Sequence, residues 1–539
     1  MPHCRATQRS VRARIDRWGL LAILGALLAG CASLPPGSDY AKAPSAEIPS
    51  ANQSQLGREF ARVVQEHQGI SGFRLITVGV DGLLMRLELI NGAERTLDLQ
   101  YYIFHADESG RLVADALARA ADRGVRVRVL VDDGETVAGD GEQLLTLAQH
   151  PNVEVRIFNP WAYRGHEPLM RALEFSLHKS RLDYRMHNKL FIADDALALV
   201  GGRNIGDQYF QIDPESQLAD DDVFVAGPAV PQLGATFDDF WNSKLAIPTA
   251  ALYHDSSAPQ APTHDGPAVA QKATQAGFDY QGKLASGEPL ADIVSGKAPL
   301  FWGHAVVACD SPDKKQVVEG DRIGSLMYKP VYQAVQATRR ELLLISPYFV
   351  PSAVEMRLLE DRLQQHVRVA VLTNSLESSP DPSAQSGYMH YRVPLLKAGA
   401  EIHEVRALLD TTRGSGQSKH ISSYGNYGLH GKLIVFDRSK LFVGSMNFDQ
   451  RSRYLNTEVG LIIDSRELSE QAGARFDAMT QLGSSYALAL RPDPGGGTHL
   501  VWRTEESGQL VELDKEPARS SWQRFEIHLL GLLPIEPEL

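Results

Sequence analysis

Cysteine is scarce in this chain, with 3 residues in 539. Beyond Cys31 the only other cysteine is Cys309, so the body of the chain has no second thiol with which to form an intramolecular disulfide. Long apolar runs are scarce too. The run from Trp18 to Gly30 is too short to span a bilayer comfortably, and no later run reaches the length of a membrane helix. A disulfide-stabilised small domain and a multispan membrane protein are therefore excluded.

Positive charge is also in deficit. The formal net charge is -12, and five arginines against one aspartate give the first 30 residues a local +4, so the rest holds about -16. An acidic body disfavours a broad nucleic-acid interface, which needs a basic face, and no nucleic-acid partner is expected. Hydrophobic residues at 43% and charged residues at 22% are typical of soluble globular proteins. The length of 539 residues predicts two or more domains.

The N-terminus carries an export signal. Arginines up to Arg17 precede the apolar run, which ends in Leu-Ala-Gly-Cys31 and resembles the bacterial lipobox. This pattern predicts a signal peptide over residues 1–30, cleaved before Cys31, whose thiol then carries a lipid anchor. Ala32 follows the cysteine, and by resemblance to Gram-negative lipoproteins this favours the periplasmic side of the cell envelope, at the outer rather than the inner membrane. A short uncleaved anchor is the alternative.

Two stretches of the chain share one spacing. The stretch RMHNKLFIADDALALVGGRN (185–204) and the stretch LHGKLIVFDRSKLFVGSMN (429–447) each place a lysine, an aspartate, a glycine and an asparagine at +2, +7, +14 and +17 from a histidine. In the first the residues are His187, Lys189, Asp194, Gly201 and Asn204, and in the second His430, Lys432, Asp437, Gly444 and Asn447. Two such matches in one chain indicate a duplication.

The segments before the two histidines repeat as well. Val125 begins an apolar strand 62 residues before His187, and Val367 begins one 63 residues before His430. Each half has the order strand, helix, strand, strand, over 95–104, 109–124, 125–133 and 152–158 in the first and over 339–351, the stretch to Gln365, 367–374 and 400–405 in the second. Apolar, β-branched strands alternating with helices predict an α/β fold with a largely buried sheet. The repeat predicts two duplicated α/β domains packed with pseudo-twofold symmetry around one shared active site.

The chain divides into six predicted segments. The stretch after the first repeat is rich in Pro, Gly, Ser and Ala without a period, which is typical of a linker. The stretch THLVWRTEESGQLVELDKEP alternates on both sides of a Ser-Gly turn, which predicts a hairpin. The segments are a signal peptide (1–30), a tether (31–75), a first domain (76–245), a linker or irregular insertion (246–300), a second domain (301–485), and a C-terminal hairpin and tail (486–539).

Strand geometry assigns the motif residues to faces. Residues i and i+2 of a strand share a face, so His187 and Lys189 project together, as do His430 and Lys432. Neighbouring apolar residues then point into the core. The asparagine that ends each motif follows small residues that allow close approach, and Asn204 offers amide N–H groups there.

The motif aspartates have a different position. Asp194 is an odd number of residues from His187 and falls at a predicted hairpin turn, which places it on the other face. Asp437 matches it in the second motif. We count both with the catalytic motif but interpret them as turn caps or partners of a lysine rather than as bases.

Two imidazoles, two ammonium groups and two amides suit a phosphodiester. Lysines together with Asn204 and Asn447 would hold the non-bridging oxygens, where negative charge builds in the transition state. One histidine attacks phosphorus and the other protonates the departing oxygen, which gives a phosphohistidine intermediate. No metal or cofactor is expected, because the lysines supply the positive charge and no carboxylate lies at zinc-like spacing.

An attacking imidazole needs a carboxylate on its far nitrogen. Aligning the strands after each motif sets Asp222 of DDDVFVAG against Glu458 of NTEVGLII, although the first repeat has seven extra residues before this point. We predict Asp222 and Glu458 as the orienting groups, each for the histidine of its own half. A surface acid beside a strand is the alternative.

At these residues the chain resembles the phospholipase D superfamily, whose signature His-x-Lys-x4-Asp-x6-Gly-[Gly/Ser]-x-Asn both copies match without departure. Within it, residues 75–245 and 300–539 are similar to the bacterial cardiolipin synthases, most of all the C-type enzymes. The resemblance implies a phosphatidyl-enzyme intermediate and transfer to the glycerol hydroxyl of a second phospholipid. It also implies that His187, in the N-terminal motif, is the nucleophile and His430 the general acid and then base.

The predicted function is that of a phosphatidyltransferase. It would make cardiolipin from phosphatidylglycerol plus phosphatidylethanolamine or a second phosphatidylglycerol. A hydrolytic phospholipase D releasing phosphatidic acid differs only in the use of water as acceptor. A nuclease of the same superfamily and a non-catalytic envelope scaffold are further alternatives. The predicted partners are phospholipid substrates and a membrane surface, reached through the lipid anchor, and nothing in the sequence identifies an accessory protein.

Overall fold

The computed structural model describes residues 34–49, 53–67, 69–135, 140–165, 167–213, 216–253, 289–315, 327–407 and 426–532. The predicted signal peptide and the predicted lipidation site Cys31 lie outside these residues, as does most of the predicted linker. Within the described ranges, no helix combines the length and the apolar character that crossing a bilayer would require.

The strands of the first half are short and mostly buried on both faces, because their valine, leucine and isoleucine side chains suit a pleated sheet covered on both sides. They are β1 (Ser71–Ile76), β2 (Thr96–Tyr101), β3 (Arg126–Asp132), β4 (Val153–Phe158), β5 (Leu190–Ala193), β6 (Leu197–Gly201), β7 (Ser216–Ala219), β8 (Asp222–Ala226) and β9 (Ala246–Pro248).

The strands of the second half follow the same order and add a C-terminal hairpin. They are β10 (Phe301–Cys309), β11 (Glu341–Ile345), β12 (Phe349–Val350), β13 (Arg368–Asn374), β14 (Glu401–Val405), β15 (Asn426–Leu429), β16 (Leu433–Phe436), β17 (Lys440–Gly444), β18 (Phe448–Asp449), β19 (Val459–Asp464), β20 (Ser485–Pro492), β21 (Thr498–Glu506) and β22 (Gln509–Leu513).

Helices alternate with these strands and cover the sheet. The stop and start signals are local: Ser352 and Glu355 form a capping box, and Gly399 ends its helix in the left-handed region. The helices are α1 (Gln55–Gln65), α2 (Gly79–Gly92), α3 (Glu108–Asp122), α4 (Asp140–Leu147), α5 (Pro168–Leu182), α6 (Ala229–Trp241), α7 (Thr249–Leu252), α8 (Pro289–Val294), α9 (Tyr328–Ala337), α10 (Ala353–Gln364), α11 (Pro382–Ala398), α12 (Gln450–Tyr454), α13 (Arg466–Met479) and α14 (Ser521–Leu530).

One 18-stranded sheet runs through both halves. Its order in the first half is β9-β4-β3-β2-β5-β6-β8-β1, and it continues as β10-β19-β17-β16-β11-β13-β14-β20-β21-β22. β1 pairs antiparallel with β10, Ser71 opposite Gly303. From this pair outward each half has the same order, with three parallel strands at its centre. The predicted α/β duplication is confirmed, and its pseudo-twofold axis passes between β1 and β10.

A common core joins the two halves. Buried side chains of the first half, such as Phe73 and Trp241, belong to one apolar cluster with Leu343 and Val435 of the second. Two further clusters cover the outer face of each half. Because interiors of this kind pack densely, the two motif strands are held in one fixed relation.

The sheet extends past the predicted domain limits. β1 begins at Ser71, before residue 76, and is needed to reach the other half, while β9 ends at Pro248 and pairs with β4. The predicted C-terminal hairpin is confirmed as β21 and β22, joined at Ser507 and Gly508, both of positive φ. β20 connects this hairpin to β14, so the C-terminal region continues the second sheet.

Candidate active site

Each histidine lies on a segment that pairs with the other half of the molecule. His187 N donates to Thr457 O at 2.9 Å, and Thr457 N donates to Arg185 O at 2.9 Å. On the opposite side, His430 N donates to Ala219 O at 2.7 Å, directly after β15 pairs in parallel with β7. These backbone hydrogen bonds between the two halves bring His187 next to Glu458, which follows Thr457. They bring His430 next to Asp220, which follows Ala219.

The residue after Thr457 is Glu458, and it contacts His187. His187 Nδ1 lies 3.0 and 2.9 Å from the two carboxylate oxygens. Ser445 Oγ donates to Glu458 Oε2 at 2.5 Å, which fixes the carboxylate. Because a carboxylate accepts, Nδ1 carries the proton and Nε2 keeps its lone pair for chemistry. Glu458 therefore contacts a motif histidine. The histidine is His187 of the first half, whereas the prediction paired Glu458 with His430 of its own half.

The residue after Ala219 is Asp220, and it contacts His430. Asp220 Oδ2 lies 2.5 Å from His430 Nδ1, and Oδ1 accepts from Asp221 N at 2.8 Å. Gly202 leaves the space that this carboxylate needs, since a Cβ at that position would lie 2.1 Å from Asp220 Oδ1. Ser445 occupies the matching position of the second motif. Gly202 therefore leaves space for the Asp220 carboxylate, whereas Ser445 donates a hydrogen bond to the Glu458 carboxylate.

The prediction that Asp222 orients a histidine is wrong. Asp222 is fully buried and lies 2.9 Å from Arg86 Nη1 and 3.2 Å from Arg203 Nη1. Arg203 in turn donates through Nη2 to the backbone oxygen of Asp220. Asp222 thus belongs to a buried ion-pair network that supports the segment carrying Asp220.

The strand register explains the error. In the first half Gly201 pairs with Asp222, and in the second Gly444 pairs with Gly460. Asp222 therefore matches Gly460, and the residue that matches Glu458 lies two positions earlier. Asp220 and Asp222 are two residues apart and lie on the same face of a strand. The alternation of apolar and polar residues therefore could not distinguish the two alignments.

The two lysines are buried beside the histidines. Lys189 Nζ donates to His187 O at 2.8 Å, and Lys432 Nζ donates to His430 O and lies 3.0 Å from His430 Nδ1. Burial lowers the pKa of Lys432 to about 8 although the site carboxylates oppose the shift. Burial likewise lowers the pKa of Lys189 well below its usual range. Among the described residues, neither ammonium forms a salt bridge with a carboxylate, which leaves both available to an anion.

The motif aspartates are turn caps. Asp194 and Asp437 lie at the tips of the β5–β6 and β16–β17 hairpins with φ of 53° and 54°. The Asp194 carboxylate accepts three successive backbone amides of residues 94–96 at 2.8 to 3.0 Å. Asp437 accepts those of residues 339–341 at 2.7 to 3.2 Å. Both carboxylates therefore hold the loop that leads into the first parallel strand of their half, in agreement with the structural interpretation.

The two asparagines lie at the ends of their motifs and are buried. Asn204 Oδ1 accepts from Ile103 N at 3.2 Å, and the side chain neighbours the Tyr209 hydroxyl. Asn447 N donates to Ser452 Oγ at 3.2 Å, and among the described residues Asn447 Oδ1 has no hydrogen-bond partner. Their predicted contact with a phosphate stays a prediction.

Sequence reasoning missed two tyrosines. The Tyr102 ring packs edge-on against His187 and the Tyr209 ring against His430, with centroids 5.1 Å apart in each case. Both tyrosines belong to the first half. Tyr209 follows Asn204 by five residues, and the residue that follows Asn447 by five is Ser452. The second motif therefore has no tyrosine at this position, and the repeat gave no indication of the two tyrosines.

Comparison with known proteins identifies the family. The family model described as "Cardiolipin synthase, PLD-like domain" matches residues 87–241 and 331–480, one segment in each half. The chain belongs to this family. It is 35% identical to cardiolipin synthase C of Escherichia coli K12 over 477 residues, which is 87% of this chain and 97% of that protein.

Two further similar proteins have lower sequence identity. The major cardiolipin synthase of Bacillus subtilis 168 is 27% identical over 404 residues, which covers 75% of this chain and 67% of that protein. The crystal structure of a phosphatidylserine synthase from Haemophilus influenzae superposes with a TM-score of 0.51 at 13% identity, covering 80% of this chain and 92% of that one. This structural likeness supports the fold.

The electrostatics of the family motifs in this chain tie the two halves together. Burial lowers the pKa of His187 well below its usual value, and the charges of Lys189 and Lys432 lower it further. Burial also lowers the pKa of His430, with contributions from Lys432 and from Lys189 of the other half. The pKa of each histidine is lowered by the lysines of both motifs, so the two motifs lie close enough together to form a single site.

The two orienting carboxylates differ. Burial raises the pKa of Glu458 to about 7 even though Lys189 opposes the shift. Burial also opposes ionisation of Asp220, but the interactions with His430 and Lys432 outweigh it and lower the pKa of Asp220. Burial and the charge of Lys432 nevertheless lower the pKa of His430 to about 3, so this ring is neutral near pH 7. The ionised carboxylate 2.5 Å away would stabilise an imidazolium at His430 once a bound anion offsets the lysine charges.

The site can therefore bind an anion between two ammonium groups and two imidazoles. Among the described residues, no group of three or more His, Cys, Asp or Glu side chains is arranged to hold a metal ion. The cations of the site are the two lysines, with Arg451 nearby. This arrangement suits nucleophilic attack on a phosphodiester followed by proton transfer to the leaving oxygen.

Proposed function

We propose that this protein is a phosphatidyltransferase that makes cardiolipin from phosphatidylglycerol plus phosphatidylethanolamine or a second phosphatidylglycerol. The observation that carries the proposal is the pair of crossed contacts, His187 with Glu458 and His430 with Asp220, at one site holding two buried lysines. The similarity to Escherichia coli cardiolipin synthase C over 97% of that protein supports the choice of reaction.

The first step transfers a phosphatidyl group to the enzyme. The Nε2 lone pair of His187 attacks phosphorus, and the bond from phosphorus to the oxygen of the leaving alcohol breaks. His430 gives its proton to that oxygen, so the alcohol leaves neutral. Glu458 holds the Nδ1 proton of His187 and stabilises the positive charge that develops on the ring when the N–P bond forms.

The second step transfers the group to an acceptor. His430, now neutral, removes the proton from an incoming hydroxyl, whose oxygen attacks phosphorus and displaces His187. A glycerol hydroxyl of a second phospholipid gives cardiolipin. Water in the same position gives phosphatidic acid, which is the hydrolytic alternative, and the nature of the acceptor is therefore what an assay must measure.

Lys189 and Lys432 bind the non-bridging oxygens of the phosphate, with Asn204 and Asn447 beside them. An anion between the lysines would offset the burial that lowers their pKa values, so substrate binding and lysine protonation reinforce each other. The same anion raises the pKa of His430, which supplies the proton needed for the first step.

The proposal includes attachment to the cell envelope. The lipobox-like Leu-Ala-Gly-Cys31 is the basis for cleavage before Cys31 and lipidation of its thiol, on the periplasmic side and at the outer membrane. Labelling with a fatty-acid analogue tests this point. Label in the wild type and none in Cys31→Ser is expected, and equal label in both would exclude lipidation at Cys31.

Lipid extraction tests the reaction. Cells lacking their own cardiolipin synthases and expressing the protein should accumulate cardiolipin, and cells expressing His187→Ala should not. Phosphatidic acid measured in the same extract would identify the hydrolase if it accumulated instead. No change in any phospholipid, with the protein folded and present in the envelope, would leave the nuclease or the non-catalytic scaffold.

A further inference from the structure

Two helices of this α/β protein expose apolar side chains that a globular surface normally buries. On α5, Leu169, Met170, Leu173 and Leu177 are between 45% and 79% exposed. On and just after α14, Trp522, Phe525, Leu529 and Leu532 are between 56% and 81% exposed. Spacings of three and four residues place the side chains of each group on one side of their helix, so each forms a continuous apolar stripe. Stripes of this size mark a surface that meets another phase or partner.

Helix α5 ends at the His187 side of the site. Asn159 Nδ2 donates to Arg181 O and Tyr184 O at 2.8 and 2.7 Å, which ties the C-terminus of α5 to the carboxyl end of β4. Asp183, the next residue after the helix, binds Arg451 at 2.8 Å. Arg451 is close enough to contribute to the lowered pKa of His187. The stripe lies on the part of α5 that precedes a kink at His178, and the short segment after the kink connects it to this side of the site.

Helix α14 lies at the matching edge of the second half. Gln523 Nε2 donates to Leu376 O at 2.8 Å, just past the carboxyl end of β13. Asn374 at that end hydrogen-bonds Leu429 through both its donor and its acceptor, at 2.9 and 2.8 Å, and Leu429 precedes His430. Within each half the carboxyl ends of the parallel strands share one edge of the sheet, and the histidine of that half lies at this edge. Each helix is therefore anchored on the side of its half that faces the shared site.

The charge on α5 indicates what covers this surface. The helix carries Arg171, Lys179 and Arg181 against a single acid, Glu174, which accepts the backbone amides of residues 162 and 163. Arg181 lies 3.4 Å from Glu174 and Lys179 lies 3.4 Å from Asp183, and the helix keeps a net positive charge. A basic helix with an apolar stripe is unusual in a chain of net charge -12 and is typical of a segment that lies in the interface of an anionic membrane.

We propose that the stripes of α5 and α14 insert into the headgroup region of an anionic phospholipid bilayer and face the catalytic cleft toward it. This inference rests on the proposed function, because it makes the bilayer the source of both lipid substrates. It is separate from the predicted lipid anchor, which tethers the chain but does not orient the site.

Tryptophan fluorescence of the full chain tests insertion independently of the anchor. The protein is mixed with vesicles of phosphatidylethanolamine and phosphatidylglycerol whose acyl chains are brominated, and the emission of Trp522→Phe is subtracted to isolate Trp522. Blue-shifted emission that bromine quenches is expected. Unquenched Trp522 emission in vesicle-bound protein would overturn the inference, as would a shift that depends on protein concentration without vesicles, since a second copy would then cover the stripe.

Kinetics separate this surface from the reaction itself. Leu173→Gln with Leu177→Gln, and Phe525→Gln with Leu529→Gln, should each raise the KM for vesicle substrate about tenfold or more, because buried apolar area is lost from the interface. Turnover of a monomeric short-chain phosphatidylglycerol should stay unchanged. Leu510→Gln, at another exposed apolar position on β22, is the matched control.

The two proposals fail in different ways. Wild-type protein that turns over neither vesicle nor short-chain phospholipid would contradict the proposed function while the quenching measurement still tested the stripes. Wild-type turnover combined with double variants that behave like Leu510→Gln would contradict the inference alone.

Discussion

His187 Nδ1 lies 2.9 Å from a carboxylate oxygen of Glu458, a residue 271 positions further along the chain and in the other half of the fold. His430 Nδ1 lies 2.5 Å from a carboxylate oxygen of Asp220, 210 positions earlier. Neither half therefore contains a complete pair of histidine and carboxylate. The duplication has produced one site assembled crosswise. The pairing of β7 with β15 places His430 beside Asp220, and the bridge between Met186 and Thr457 places His187 beside Glu458.

The corrected identity of the His430 partner gives a first prediction. Asp220→Asn should lower kcat by about 100-fold or more, because the amide no longer stabilises an imidazolium at His430. Asp222→Asn is the matched control two residues away. It should lower Tm by weakening the ion pairs to Arg86 and Arg203, while kcat at a temperature below its Tm stays within about tenfold of wild type. Larger loss of kcat in Asp222→Asn than in Asp220→Asn would reinstate the original alignment.

Gly202 gives a second prediction. Gly202→Ala should abolish most turnover, because its Cβ would lie 2.1 Å from Asp220 Oδ1 and push the carboxylate off His430. Gly495→Ala is a suitable control, since a Cβ at that position has no neighbour within 4 Å. Circular dichroism should show both variants folded. If Gly202→Ala kept wild-type kcat, Asp220 would not need its observed position for catalysis.

The buried carboxyl of Glu458 predicts a conflict between stability and activity. Its folded pKa of about 7 exceeds the usual 4.5, so the unfolded chain ionises first and the stability of the native state falls as pH rises from about 4.5 through 7. Glu458→Gln never ionises and escapes a penalty on the order of 3 kcal/mol above pH 7. Its Tm advantage over wild type should therefore grow between pH 5 and 8 while its turnover is largely lost.

Glu512 provides the control for that pH profile. It is exposed on β22, and a hydrogen bond from Arg503 lowers its pKa. Glu512→Gln should bring no Tm gain as pH rises, because an ionised Glu512 is favoured in the folded state. Melting curves of the three proteins across the pH range give the comparison. A Tm difference between Glu458→Gln and wild type that did not change with pH would show that Glu458 is ionised throughout.

The two motifs could be identified from the sequence because the residues of each lie within one short stretch of the chain. A histidine and a lysine two apart on a strand must share a face, and the repeat of that spacing predicted both the duplication and the single site. The turn role of Asp194 followed from its odd offset from His187, and its three backbone partners agree with this reasoning.

The crossed pairing of histidines and carboxylates was not accessible in this way. Which carboxylate meets which histidine depends on contacts between segments more than 200 residues apart, and no period in the chain encodes them. Three consecutive aspartates, 220 to 222, follow β7, and two of them share a strand face, so the pattern alone could not select Asp220. The contrast between Gly202 and Ser445 in the two motifs is the local signal that could have selected it.

Shared use of one site predicts non-additive mutations. His187→Ala and His430→Ala should each remove most turnover, and the double variant should be little worse than either single one, because groups acting as one unit are lost together. Kinetics of the three variants on the same phosphatidylglycerol vesicles measure this. About half of wild-type activity in either single variant would mean that each half works alone.

Trapping the covalent intermediate tests the central claim most directly. The protein is mixed with phosphatidylglycerol labelled in its phosphatidyl group, quenched within one turnover, and the label is counted and mapped by peptide mass spectrometry. The crosswise site predicts one label per chain, on the peptide containing His187. Two labels per chain, on the peptides of His187 and His430 alike, would contradict a single shared site.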